Sequence, residues 1–163
     1  MKILKMEDLD LSGKRVLIRE DFNVPISNGQ VANDTRIQAA IPTIKLANRS
    51  AKKIILMSHL GRPIEGKSIS EQLELSLAPV ATHLSNALDK EVLLIDSYIE
   101  SPKFLNRHNE GIFLLENIRI NLGEKSNDYS LGKTYADMCD VFVMDAFGTA
   151  HRAQASTYGV SEY

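Results

Sequence analysis

Cysteine occurs once in this chain, as Cys139, so no internal disulfide can form and a reducing, cytoplasmic compartment is expected. No apolar run approaches the length of a membrane span. The formal net charge is only −2, without a basic tail, which argues against a general nucleic-acid or membrane binder. The N-terminal stretch Met1-Lys2-Ile3-Leu4-Lys5 turns charged again before a signal-peptide core can form. Low-complexity tracts and internal repeats are missing too.

What the chain does have is a repeated ending. Val16-Leu17-Ile18 runs into Arg19-Glu20-Asp21-Phe22-Asn23-Val24-Pro25, and Ile54-Ile55-Leu56-Met57 into Ser58-His59-Leu60-Gly61-Arg62-Pro63. Ile112-Phe113-Leu114-Leu115 runs into Glu116-Asn117-Ile118-Arg119, and Val141-Phe142-Val143-Met144 into Asp145-Ala146-Phe147-Gly148-Thr149-Ala150-His151-Arg152. Between these strand-like runs lie stretches of helical spacing. Thr35 to Ala47 carries Ile37, Ala40, Ile41, Ile44 and Ala47 on one face, with Asp34 as the N-cap and Pro42 inside. Leu75 to Leu88, with Pro79 inside, and Asp128 to Met138 are two more. Val92-Leu93-Leu94-Ile95 adds a strand, and Ser156 to Val160 reads as a sixth. The expected fold is α/β, a three-layer α/β/α arrangement around a mainly parallel sheet of about six strands, Rossmann-like. At 163 residues and 44% hydrophobic content, residues 1–163 form one domain. The stop at Tyr163, straight after the last strand-like run, is what a fragment looks like.

In an open parallel sheet the carboxyl ends of the strands share one edge, where ligands bind. That edge would collect Arg62, Arg119, Arg152, His59 and His151, a set suited to an anion, since a guanidinium fork binds two oxygens at once. Asp21 and Asn23, two apart on an extended stretch, point to one side; they either hold a hydroxyl or close the turn before Pro25. Arg36 opens a helix whose dipole favours the opposite charge, so it faces either solvent or an anion. Glu116 is a candidate internal partner for Arg119, and Cys139 a core residue. Gly61 to Ser68 matches the phosphate-loop pattern G-x-x-x-x-G-K-S, but Pro63 lacks an N–H and no helix pattern begins at once. No metal-ligand set is assigned.

Taken together, these clusters resemble phosphoglycerate kinases, specifically their N-terminal, substrate-binding half. The matching stretches are Arg19 to Pro25, Asp34 to Arg36, Ser58 to Pro63, Leu115 to Arg119 and Asp145 to Ala153, in the family's order over essentially the whole chain. The resemblance implies that Asp21 and Asn23 hold the hydroxyl end of 3-phosphoglycerate, and that His59, Arg62, Arg119 and Arg152 hold its phosphate. Arg36 would sit at the carboxylate that accepts the phosphoryl group and stabilise charge in the transition state, and His151 would join the basic patch. Mg-ATP or Mg-ADP would be used by the full-length enzyme and bound by a second α/β domain that this chain lacks. The fragment would be a cytoplasmic monomer that binds 3-phosphoglycerate weakly and turns nothing over without its C-terminal half. Glu20, Ile120 and Gln154 depart from common family residues, Glu20 standing where an apolar residue or alanine is frequent. Two other classes remain open: a phosphate-loop NTPase using Gly61 to Ser68, and a non-catalytic anion-binding module.

Overall fold

A computed structural model of the chain describes residues 4–163. Residues 1–3, which begin the N-terminal stretch discussed above, lie outside the described residues. The elements follow in the order β1 (Arg15–Arg19), β2 (Ile26–Ser27), β3 (Gln30–Val31), α1 (Thr35–Ala47) and β4 (Lys53–Met57). Then come α2 (Ala78–Leu88), β5 (Val92–Ile95), α3 (Phe104–Arg107), β6 (Gly111–Leu115), α4 (Tyr129–Asp137) and β7 (Val141–Met144). Among the described residues no helix is long and apolar enough to cross a membrane.

Five strands form one sheet in the order β5-β6-β4-β1-β7, every neighbouring pair parallel. Alternation along the strands builds a core on each face, because successive side chains point to opposite sides. Val16, Ile18, Ile54, Leu56, Ile112 and Leu114 face α1 and α2, meeting Ile37, Ile41, Ile44, Val80 and Leu84. Leu17, Ile55, Met57, Phe113 and Leu115 face the other way, toward Phe104 of α3 and Leu131, Tyr135 and Met138 around α4. Parallel strands covered on both faces are what near-continuous apolar runs require. The three-layer α/β/α fold therefore stands, with five strands in its sheet where about six were expected. β2 and β3 form a separate antiparallel hairpin.

The missing strand is Ser156 to Val160. The N–H groups of Thr157, Tyr158 and Gly159 all turn back to the Gln154 carbonyl, and a short 3-10 helix covers Gly159–Glu162. Ala155 and Val160 are buried against the α4 face of the sheet. The apolar spacing reflects that packing and not a ladder. The approach is close: a Cβ on Gly132 of α4 would lie 2.7 Å from the Gly159 carbonyl carbon. Gly132→Ala is therefore expected to destabilise the chain by about 1–3 kcal/mol in urea unfolding. An unchanged midpoint would mean that this segment does not rest on α4.

The helix ends also differ in detail. The expected helix from Leu75 is a 3-10 turn over Leu73–Leu75 followed by α2, so Pro79 lies in the first helical turn, where its missing N–H costs nothing. α1 runs unbroken through Pro42. Asp34 stands at the N-cap position but does not cap: its Oδ2 accepts from Gln38 Nε2 at 2.8 Å and lies 3.1 Å from His83 Nε2. Asn33 Oδ1 accepts the Thr35 N–H instead.

Candidate anion-binding site

The carboxyl ends of β1, β4, β6 and β7 lie side by side, and the turns that follow them meet over one cavity of about 320 Å³. Asp21, Asn23, Arg36, His59, Arg62, Arg119 and Arg152 all line it. His151 does not; it is exposed on the turn after β7. Gly61, Gly148 and Thr149 complete the wall. Gly148 and Thr149 carry no charge and follow no periodicity, so only the turn chemistry around Phe147 hinted at them. A larger, mostly apolar cavity of about 550 Å³ lies between α1, β7 and the N-terminal segment, away from the arginines.

After β1 the chain is not extended as expected. The Val24 N–H bonds the Phe22 carbonyl at 2.8 Å, a three-residue turn centred on Asn23. Asp21 Oδ1 accepts the Asn23 N–H at 3.2 Å, the short-range bond typical of a turn aspartate, while its Oδ2 holds Arg36 Nη1 at 2.5 Å. That ion pair explains how a cation sits in the first turn of α1 against the helix dipole. Asn23 Oδ1 accepts the Gly61 N–H at 2.9 Å, tying the turn after β1 to the turn after β4. Asp21 and Asn23 thus close the turn and also face the cavity.

Gly61 has φ +60°, a left-handed backbone that favours glycine, and a Cβ there would also push on Leu75 Cδ2 at 2.6 Å. Its carbonyl accepts from Arg119 Nη1 at 3.3 Å. Arg119 is buried, yet its Nε and Nη2 find no protein acceptor. Burial is the main pull on its pKa, downward, with Arg152 and then Arg62 adding repulsion. The anticipated Glu116–Arg119 bridge does not form. Glu116 turns away and accepts from Ser76 Oγ at 2.6 Å and from the backbone N–H groups of Leu77 and Asn117, anchoring the start of α2.

Behind the cavity lies a residue that spacing did not single out. Arg19, fully buried at the end of β1, directs Nη2 to His59 Nδ1 at 3.2 Å and Nε to Ser156 Oγ at 3.2 Å. In the sequence it is one more charge at the end of an apolar run, and nothing local marks it as buried. Burial first, then Arg19 and Arg119, push His59 down to about 3, so the imidazole is neutral at physiological pH. The Cys139 thiol is half-buried and pushed up to about 11, chiefly by burial, which leaves it unreactive.

The phosphate-loop look-alike is closed to a ligand in this fold. The Gly61 N–H bonds Asn23, that of Ile64 bonds Gln72 Oε1, that of Gly66 the Ile120 carbonyl, that of Lys67 the Ile64 carbonyl and that of Ser68 Glu71. A phosphate cradle needs such donors free and converging. A 3-10 turn, not an α-helix, follows Ser68.

The family model described as phosphoglycerate kinase matches residues 6–163. A phosphoglycerate kinase of Mannheimia succiniciproducens is 56% identical over 164 residues, and one of Legionella pneumophila 55%; each alignment covers 100% of this chain and 40% of the relative. Among solved structures, phosphoglycerate kinase from Coxiella burnetii superposes with a TM-score of 0.87 at 48% identity, covering 99% of this chain and 40% of its own. The enzyme from Pyrococcus horikoshii superposes at 0.81 with 27% identity, covering 98% and 40%. The chain thus spans about 40% of the length of the relatives it matches. Over residues 6–163 the chain belongs to the phosphoglycerate kinase family.

Proposed function

We propose that this chain is the acceptor-binding part of a phosphoglycerate kinase and that 3-phosphoglycerate occupies the cavity over the strand ends. The observation that carries this reading is Arg119: a buried guanidinium with Nε and Nη2 unpartnered, in a cavity that Arg62, Arg152 and Arg36 also line. Such nitrogens are costly unless an anion completes them. A phosphate monoester carries about −1.5 to −2 charges at neutral pH and accepts at several oxygens, which matches clustered guanidinium groups. In this reading His59, Arg62, Arg119 and Arg152 take the phosphate, and Asp21 and Asn23 the hydroxyl. Arg36, already tethered by Asp21, neutralises charge at the carboxylate as the phosphoryl group transfers.

Phosphoryl transfer depends on positioning and charge neutralisation more than on covalent chemistry from the protein, so no nucleophile is needed here. The described residues contain no cluster of three or more His, Cys, Asp or Glu able to hold a metal. Mg-ATP is assigned to parts of the protein beyond this chain, which spans about 40% of the length of the relatives it matches. Alone, the chain would bind 3-phosphoglycerate weakly and transfer nothing, because closure against a partner domain excludes water and completes the contacts.

Calorimetric titration of the chain with 3-phosphoglycerate, inorganic phosphate and Mg-ATP tests the reading. The expected result is saturable 3-phosphoglycerate binding, tighter than inorganic phosphate, and no heat from Mg-ATP. Binding of Mg-ATP without 3-phosphoglycerate would favour a nucleotide site instead. Equal affinity for phosphate and 3-phosphoglycerate would point to a plain anion-binding module.

A further inference from the structure

Arg19 sits where a charge is hardest to keep. It is fully buried, yet remains cationic at neutral pH, since burial lowers it only to about 10. Three bonds hold the guanidinium in one orientation: Nη1 to the Glu20 carbonyl, Nε to Ser156 Oγ and Nη2 to His59 Nδ1. Ser156 Oγ in turn donates to Glu124 Oε1 at 2.5 Å, and Glu124 is itself buried. Glu124 Oε2 also accepts from Tyr135 OH at 3.4 Å. The buried cation and the buried Glu124 carboxyl group are thus joined through one hydroxyl, which fixes Arg19 through residues outside the cavity lining.

A guanidinium only donates. The atom of His59 that faces it, Nδ1, must therefore carry a lone pair, and the ring proton must be on Nε2. The two ring nitrogens of a histidine are set against each other in this way by whatever partner one of them has. His59 lines the anion cavity, and its Nε2 makes no hydrogen bond among the described residues.

We propose that Arg19 is a positioning residue that locks His59 as the Nε2–H tautomer, so that the anion cavity always meets a neutral donor at this point. The inference deepens the acceptor-site reading, because the donor is aimed where the phosphate of 3-phosphoglycerate would lie. A titrating His59 would alternate between donor and cation as pH changed. Here the groups around it hold it neutral: Arg19 from β1, Arg119 from the turn after β6 and Arg152 from the turn after β7 disfavour a second proton. Asp21, from the turn after β1, is the one opposing charge among them, and it is engaged by Arg36. Glu124 and Ser156 make the arrangement rigid by giving Arg19 no other geometry.

The test is a long-range proton–nitrogen correlation spectrum of the free chain labelled with nitrogen-15 histidine. Four histidines are present, and His59→Gln assigns the relevant pair of signals. The expected wild-type result is an unprotonated Nδ1 and a protonated Nε2 on His59, unchanged down to about pH 5. Arg19→Met should release the ring, giving mixed tautomers and a titration moved up toward the ordinary value of about 6.5. Arg19→Lys, which keeps a donor-only cation, should retain the wild-type tautomer. A proton on Nδ1, or a His59 cation at pH 7, in the wild-type chain would overturn the proposal, even if Arg19→Met fails to fold. An unaltered His59 in a folded Arg19→Met would overturn it too. No ligand enters these spectra, so failure of 3-phosphoglycerate binding and failure of the tautomer lock are separate outcomes.

Discussion

Arg119→Met is expected to make the free chain more stable while removing most of its affinity for 3-phosphoglycerate. Two guanidinium nitrogens of this buried side chain have no acceptor, and its neighbours across the cavity are Arg62 and Arg152. Each buried unpartnered donor costs about 1–3 kcal/mol, and methionine keeps the apolar stem and much of the volume. The bond from Nη1 to the Gly61 carbonyl is lost, which offsets part of the gain. A net stabilisation of about 1–2 kcal/mol, or roughly 3 °C or more in melting temperature, follows for a chain of this size. Binding moves the other way. A two-pronged contact with a phosphate is lost, and charge-assisted bonds of about 1.5–3 kcal/mol each correspond to a weakening of about 100-fold or more.

Melting curves with and without 3-phosphoglycerate measure both effects. Wild type should rise with ligand by mass action, while the variant should start higher and stay put. A variant that still rises with ligand would remove Arg119 from the site. One that starts lower would show that its open nitrogens are not a burden on the fold. On the proposed reading this opposition arises because a site for a multiply charged anion is assembled from like charges that the ligand neutralises.

Glu20→Gln should change how stability responds to pH. Glu20 is buried at the end of β1, one of its oxygens unpartnered, with Asp145 at the end of β7 beside it. Burial, and then Asp145, push its carboxyl up to about 9, with Arg19 opposing. The folded chain therefore keeps a proton that the unfolded chain has already released. A carboxyl raised in this way contributes fully below its unfolded value of about 4.3, and the contribution is lost as pH rises toward 9. Wild-type stability should fall across that window by on the order of 1 kcal/mol per pH unit from this residue alone. Glutamine has the same shape, can donate to Asp145 and never ionises. The variant should match wild type near pH 4 and exceed it by on the order of 3 kcal/mol at pH 7. Urea unfolding from pH 4 to 9 decides the matter, and two parallel curves would mean that Glu20 does not hold the extra proton. Where an apolar residue or alanine stands at this position, as the resemblance suggests is frequent, this dependence should be missing.

Much of this arrangement was legible in the chain before any coordinates. A continuous apolar run such as Ile54-Ile55-Leu56-Met57 suits a strand covered on both faces, and β4 is buried at every one of these positions. The turns after β1, β4, β6 and β7 then had to share an edge, which brings Asp21, His59, Arg62, Arg119 and Arg152 to one cavity. The apolar spacing from Ser156 to Val160 fits a strand as well as it fits a coil packed on α4; the contact with Gly132 that distinguishes them is not local.

Local pattern fixes where a side chain starts and which face it takes, because those follow from backbone geometry over a few residues. It does not reveal which charges find partners, since those come from remote segments. Arg15 and Arg119 look alike as arginines next to apolar runs. Tertiary structure gives Arg15 a carboxylate, Asp140 at 2.8 Å, and leaves two buried nitrogens of Arg119, a residue of the cavity wall, without a partner. Arg19 and Ser156, 137 residues apart, meet only because β1 lies between β4 and β7 inside the sheet and the segment around Ser156 folds over its end. Local pattern is enough to set the layers and the sheet edge on which the cavity lies. Only the packing of distant segments decided which cations are neutralised inside the protein and which are left for a ligand, because burial penalises every unpaired charge and partners are found in space, not along the chain.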